Sequence, residues 1–223
     1  MNILIYGASG MVGQGVLREC LQADDVESVT IVGRSALPHQ HPKLKQIVMS
    51  DIAEALDSRS SQYDACFFCL GVSAAGMTEA QYSKLTFDLT LDIARKLAAT
   101  NRGMTFVYVS GAGTDSTEKG RAMWARVKGK TENALLALGF NLALMFRPAV
   151  IQPLNGIESK TSSYRIFYRL VAPFFPFLKF ISPRSILTTE EMGKAMLNAV
   201  RYGSSKNILE KADISLLAKQ RHH

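Results

Sequence analysis

The first thirteen residues constrain this chain more than any other stretch. An apolar run, Ile3-Leu4-Ile5-Tyr6, breaks at once into Gly7-Ala8-Ser9-Gly10-Met11-Val12-Gly13, and Val16, Leu17, Cys20 and Leu21 follow at helical spacing. A buried strand, a glycine turn and the opening of a helix are the expected local structures. Gly7 lets the strand turn sharply, Gly10 lets a pyrophosphate approach the main chain without meeting a Cβ, and Gly13 lets the helix lie close to the sheet. The N–H groups and the positive dipole end of that helix then face the phosphates. Glycines at this spacing, after a strand and before a periodic helix, predict a dinucleotide site.

Composition narrows the alternatives. The length of 223 residues suits one domain, and a hydrophobic content of 47% supports a large core. The net charge of +7 suits an anionic cofactor, but no Lys/Arg run or basic, aromatic-interleaved motif accompanies it, so nucleic acid is not an expected partner. Three cysteines, an odd number, and no signal peptide lead to the expectation of a reducing cytoplasm. No stretch is long enough and free enough of charge to span a bilayer. His39 and His41 lack a third ligand nearby, so no metal is expected. Cys66 and Cys69 match C-x-x-C formally, yet residues three apart on a strand face opposite sides, which argues against a redox pair. His222 and His223 carry no role.

The spacing G-x-x-G-x-x-G resembles the loop of the extended and atypical short-chain dehydrogenase/reductases, a group that includes sugar-nucleotide epimerases and NmrA-like regulators. The resemblance is strong over 1–150 and loose beyond. After the first helix, Val26 to Val32 reads as a second strand and leads into Gly33-Arg34-Ser35. An acidic residue there would grip a ribose 2′-hydroxyl, whereas an arginine accommodates a 2′-phosphate. Arg34 with Ser35 beside it therefore points to NADP(H), against the reading of Arg34 as a solvated surface residue. Leu44 to Met49 gives a third strand and Ser50-Asp51 opens a short helix; Asp51 reads equally as an N-cap or, by the resemblance, as a contact of the adenine amino group. Tyr63 to Leu70 is a fourth, centrally buried strand. By the resemblance, Cys69, Leu70 and Gly71 run past the riboses.

Thr78 caps a long helix with Tyr82, Leu85, Leu89, Ile93 and Leu97 in register, ending near Asn101-Arg102-Gly103. In the family this helix often makes a dimer face, so a homodimer is an expectation. Met104 to Val109 is the fifth strand. A serine placed as Ser110 is polarises the substrate carbonyl in the family, and a strand-ending turn is the equally weighted alternative. The helix expected over about 119–138 has Met123, Val127, Ala134, Leu135 and Leu138 as its inner stripe. Beside that stripe the family reads Y-x-x-x-K, in which the tyrosine gives a proton and the lysine lowers its pKa and holds the nicotinamide ribose. This chain reads Trp124-Ala-Arg-Val-Lys128, and no tyrosine occurs between Tyr108 and Tyr164. An indole N–H donates a hydrogen bond but does not surrender a proton near neutral pH.

Leu142 to Phe146 is a sixth strand. It leads to Arg147-Pro148-Ala149-Val150, which is similar to the R-P-[GA]-x segment beside the nicotinamide carboxamide. The Tat-interacting-protein-like branch shares the Gly-Ala-Ser-Gly loop, the Cys-Leu-Gly turn, the V-K-G-x-x-E segment (Val127 to Glu132) and the Phe-Arg-Pro strand end. The region 151–186 is expected to be a substrate lobe inserted in the single domain. Its aromatic stretch from Tyr164 to Phe180 reads as a lid over the cleft, or as a partner-binding or membrane-surface patch. Thr188 to Glu191 caps a further helix, Asn207 to Leu209 is a short strand, and a helix over about 210–219 closes the fold. The resemblance thus implies a doubly wound, mostly parallel α/β sheet and an NADP(H)-dependent oxidoreductase acting on a small carbonyl substrate. The catalytic candidates are Ser110, Lys128 and Trp124. The alternative is an NADPH-sensing regulator without turnover.

Overall fold

The computed structural model describes residues 1–55, 62–157 and 186–220. Its elements run β1 (Asn2–Tyr6), α1 (Met11–Gln22), β2 (Ser28–Gly33), β3 (Leu44–Val48), β4 (Ala65–Phe68), α2 (Glu79–Ser83), a π-turn (Lys84–Asp88), α3 (Leu89–Thr100), β5 (Thr105–Val109), α4 (Met123–Leu136), β6 (Leu142–Arg147), β7 (Val150–Gln152), β8 (Ile186–Thr188), α5 (Thr189–Tyr202), β9 (Ile208–Glu210) and α6 (Lys211–Ala218). Seven strands form one sheet in the order β3-β2-β1-β4-β5-β6-β9, every pair parallel, and β7 pairs with β8 beside it. The order reverses between β1 and β4, and in such sheets that crevice at the carboxyl ends receives the ligand. The doubly wound α/β architecture expected from the sequence is therefore present.

Alternation along the strands builds two cores. Ile3, Ile5, Phe67, Val107 and Leu144 face α1 and α5, while Leu4, Tyr6, Cys66, Phe68 and Phe106 face α3 and α4. On the second face the rings of Tyr6, Phe68, Phe106 and Phe140 stack in a row at 5.5, 5.9 and 4.8 Å. Cys66 belongs to that face and Cys69 packs against the other, and both thiols are free. Alternation thus keeps the two sulfurs apart, as the strand reading requires.

Several boundaries depart from the sequence expectation. The second strand starts at Ser28 and the fourth is confined to Ala65–Phe68. The helix expected at Ser50-Asp51 is a turn as far as Ala55, closed by the Asp51 carboxylate accepting from the Ala53 N–H at 3.0 Å. The helix expected from 119 starts at Met123, because Asp115 holds the preceding loop as a turn. Its carboxylate accepts from the Gly120 N–H at 2.6 Å and from the Thr117 hydroxyl at 2.6 Å.

The cap expected at Thr78 is present, as a full capping box with Gln81, but the π-turn adds a residue to one of the helix's turns. Tyr82 stays inside, Leu85 is turned out to solvent, and Thr86 and Thr90 take the inner positions. Of the inner stripe expected on α4, Val127 and Leu135 are buried, whereas Met123, Ala134 and Leu138, the last beyond the end of the helix, are only partly covered. Thr131 and Glu132 are fully enclosed instead. The capping box of Thr188 and Glu191 is present at the head of α5, with hydrogen bonds of 3.0 and 2.8 Å. The stretch Tyr164 to Phe180, most of the expected lobe, and His222-His223 lie outside the described residues.

Candidate cofactor and active site

Gly7 turns the chain off β1 at φ +80°, and a Cβ there would lie 2.7 Å from the main chain of Cys69 and Leu70. The turn therefore crosses directly over the end of β4. A Cβ on Gly13 would lie 2.1 Å from the Gly7 carbonyl oxygen, so α1 presses against the loop, as the sequence anticipated. Gly10 donates to the Gly7 carbonyl at 2.9 Å and begins α1 with no side chain capping it. The orphan N–H groups of the first turn are thus suited to an anion.

Beside this loop lies a cavity of about 130 Å³, walled by Gly7, Ala8 and Ser9 on one side and by Arg34, Ser35, Leu37, Gln46 and Ile52 on the other. No carboxylate lines it among the described residues, and the exposed Arg34 guanidinium makes no hydrogen bond or ion pair with them. Leu70 also lines a second cavity of about 580 Å³, which begins at Met11, Val12, Cys69 and Gly71 and reaches Ser110, Trp124, Lys128, Pro148 and Ala149. The two cavities make one trough across the switch point. With an uncapped helix terminus at its middle and a cation at one end, it fits an extended nicotinamide dinucleotide. Four expected cofactor contacts, Gly10, Gly13, Asp51 and Val150, do not line it, the two glycines serving the loop and its packing on α1. Asp51 is spent on its own turn while Ile52 lines the wall, and Val150 is exposed at the start of β7 while Ile151 takes the lining position.

In the larger cavity α4 carries the charged groups. Lys128 donates from Nζ to the Ser110 carbonyl oxygen at 2.5 Å, and Nζ lies 6.0 Å from the Tyr108 ring centre. Burial brings the Lys128 ammonium down to a pKa of about 8, with the Glu132 carboxylate opposing the shift. The Ser110 hydroxyl is turned inward and donates to Glu132 at 2.5 Å, with the Phe146 carbonyl oxygen 3.2 Å away. Its proton is therefore committed within the protein. Glu132 itself is fully enclosed. Arg147 donates through Nε to both its oxygens at 3.1 and 3.2 Å and pairs with it again through Nη2. The same guanidinium reaches Ser116 Oγ at 2.5 Å and Glu210 at 3.4 Å. Arg147 thus fastens β6 to α4 and β9.

Trp124 stands at the rim, half-exposed, with the edge of its indole 3.4 Å from where a Gly113 Cβ would lie. Tyr82 on α2 lines the cavity beside it. Glu132 and Tyr82 were not among the site residues expected from the sequence. Glu132 had a signal, since it falls one helical turn after Lys128 and therefore on the same face. Tyr82 had none beyond its place in the helical register. Among the described residues no cluster of His, Cys, Asp or Glu could hold a metal ion, and no helix is long and apolar enough to cross a membrane.

No family model matches the chain. A relative from Saccharomyces cerevisiae, "Protein FMP52, mitochondrial", is 33% identical over 176 residues, which cover 74% of this chain and 71% of the relative. A second, of the same name from Eremothecium gossypii, is 29% identical over 99% of this chain and 98% of its own length. Among solved structures, the Bordetella bronchiseptica enzyme WbmF in complex with NAD+ superposes with a TM-score of 0.67 at 14% identity, covering 96% of this chain and 76% of that one. The Saccharomyces cerevisiae short-chain dehydrogenase/reductase YIR035C gives a TM-score of 0.67 at 13% identity, over 97% and 98% of the two chains. The fold is that of the short-chain dehydrogenases and epimerases. The relatives named mitochondrial overturn the expectation of a cytoplasmic setting. Cysteine parity separates oxidising from reducing compartments, and not one reducing compartment from another.

Proposed function

This chain belongs to the FMP52 family, and from that premise we propose that it is an NADP(H)-dependent oxidoreductase of the atypical short-chain type, acting on a carbonyl compound. The observation that carries the reading is the continuous trough from Arg34 to Lys128, joined at Leu70 across the switch point. Gly7 to Gly13 would hold the pyrophosphate at the head of α1. Arg34 and Ser35 would take the 2′-phosphate through charge-assisted hydrogen bonds. Leu70, Gly71, Pro148 and Ala149 would flank the nicotinamide half. When bound, a reduced nicotinamide supplies a hydride to a carbonyl carbon. The preference for NADP(H) is supported by Arg34 and by the lack of a lining carboxylate among the described residues; WbmF is itself a complex with NAD+.

A second reading, a cofactor-dependent regulator without turnover, is favoured by Trp124 at the tyrosine position and by the Ser110 proton being given to Glu132. The two separate in one experiment. Calorimetric titration with NADPH and NADH establishes binding and preference, and steady-state reduction is then measured over aldehydes, ketones and quinones. Turnover supports the enzyme. Tight NADPH binding with no turnover across the panel supports the regulator, and no binding of either nucleotide rejects both.

A further inference from the structure

Resting on the oxidoreductase reading above, we propose that the side-chain nitrogen of Lys128 is itself the proton donor of this site, in place of the missing tyrosine, and that buried Glu132 is the positioning residue that fits it to the task. The donors lining the larger cavity are few among the described residues: Cys69, Ser73, Tyr82, Ser110, Trp124 and Lys128, of which the Tyr82 phenol is the competing donor that the Tyr82→Phe variant below separates from Lys128. Ser110 gives its proton to Glu132. The indole of Trp124 does not ionise near neutral pH. Burial pushes the Cys69 thiol up to about 12. Ser73 is an aliphatic alcohol whose oxygen accepts from the Ala75 N–H at 3.3 Å. An ammonium carries three N–H bonds, and the hydrogen bond to the Ser110 carbonyl accounts for one of them on Lys128.

An acid works best when its pKa lies near the working pH, and Lys128 is brought to about 8. The groups facing it are Glu132 on its own helix, Tyr108 from β5, Tyr82 from α2 and Cys69 beyond β4. Glu132 opposes the shift, and it is itself paired with Arg147. Burial therefore prevails over attraction. Glu132 also keeps the Ser110 hydroxyl turned away, leaving the Ser110 carbonyl as the anchor of Nζ. In the step the carbonyl carbon takes the hydride and is reduced while the nicotinamide is oxidised. The C=O π pair moves to oxygen, an O–H bond forms as an Nζ–H bond breaks, and the neutral amine regains a proton from water.

Two measurements on the full chain test this. The first needs neither cofactor nor turnover: 13C NMR of protein labelled at lysine Cε, followed from about pH 6 to about pH 11. One lysine should titrate near 8. Its signal should be absent in Lys128→Arg and move to lower pH in Glu132→Gln, where the charge opposing burial is gone. Lysines that all titrate above about 10 overturn the proposal.

The second uses 4-nitrobenzaldehyde as probe with NADPH, or with NADH should it bind the tighter. kcat/KM should be level at low pH and fall about tenfold per pH unit above about 8. Lys128→Arg, whose guanidinium does not give up a proton, should lose about 10²-fold or more in kcat while still binding the nucleotide. A limb that survives in Lys128→Arg, or that vanishes with Tyr82→Phe, overturns the assignment. So does a wild type that is inert where Trp124→Tyr turns over, an outcome that spares the oxidoreductase reading. Inertness of both, with nucleotide bound, overturns that reading and this proposal together.

Discussion

Arg147 grips both carboxylate oxygens of the fully enclosed Glu132, and the Ser110 hydroxyl completes the set from the other side. A buried pair of this kind is costly to break from one side, because the remaining charge has no solvent to turn to. Glu132→Ala should lose about 3–5 kcal/mol of stability. Glu210→Ala, which removes the exposed partner of the same arginine at 3.4 Å, should lose about 1 kcal/mol or less. Denaturant midpoints measure both. The double variant Glu132→Leu with Arg147→Met should be more stable than either single variant, since no charge is then stranded.

The sequence made legible what has a local cause. The glycine loop, the strand alternation of Cys66 to Cys69 and the helix caps at Thr78 and Thr188 each depend on residues within a few positions of one another, and each appears where expected. The position of Arg34 at the wall of the smaller cavity was legible through topology, because the end of the second strand has a fixed place in this fold. The spacing put Glu132 on the face of Lys128, but its burial was not legible: polar residues on a helix are read as outward-facing, and its partner Arg147 lies on the following strand. The π-turn was hidden too. It shifts Leu85 outward and Thr86 inward without any glycine or proline to announce it. The start of α4 escaped because Asp115 binds the preceding loop through hydrogen bonds that no periodicity reports.

Nucleotide preference is the next expectation. Arg34 is exposed at the mouth of the smaller cavity with no protein partner among the described residues. A charge-assisted hydrogen bond is worth about 1.5–3 kcal/mol, which is tenfold or more in affinity. Calorimetry should find NADPH bound at least about tenfold tighter than NADH by the wild type. Arg34→Ala should erase that difference by weakening NADPH alone.

Two glycines of the loop should fail in different ways. A Cβ on Gly13 collides with the Gly7 carbonyl at 2.1 Å, so Gly13→Ala must shift α1 and lower stability by about 1–3 kcal/mol. A Cβ on Gly10 meets only the Gly7 carbonyl, at 3.4 Å, an ordinary contact. Gly10→Val should therefore keep its melting temperature within a few degrees and lose both nucleotides, because its side chain occupies the pyrophosphate's place. A melting scan beside a nucleotide titration separates the two.

Lys128 should cost stability in a pH-dependent manner. Its ammonium falls from the ordinary 10.5 to about 8 on folding. Between those values the unfolded chain binds the extra proton, so this group's contribution to stability improves as pH rises through the window. Below pH 8 the penalty for the buried charge is complete. At about 1.36 kcal/mol per pH unit across the window its ceiling is about 3 kcal/mol. Lys128→Met should therefore be more stable than the wild type near neutral pH, and the gap should close as pH approaches 10.5. A gap that widens with pH would contradict this.

Trp124 decides how well the site handles protons. Its indole lies at the cavity rim, one helical turn before Lys128 and against the turn at Gly113. Trp124→Tyr places an ionisable hydroxyl beside that ammonium, whose charge lowers the phenol pKa. Well-placed general acids contribute about 10²–10⁴ in rate. Reduction of 4-nitrobenzaldehyde by Trp124→Tyr should therefore exceed the wild-type kcat by about tenfold or more, below the full effect because the pocket is shaped for an indole. Trp124→Phe controls for the space released, since it removes the same bulk without supplying a proton. If the two variants gain equally, the gain comes from room in the cavity and not from the restored acid. A gain confined to Trp124→Tyr is assigned to the restored acid.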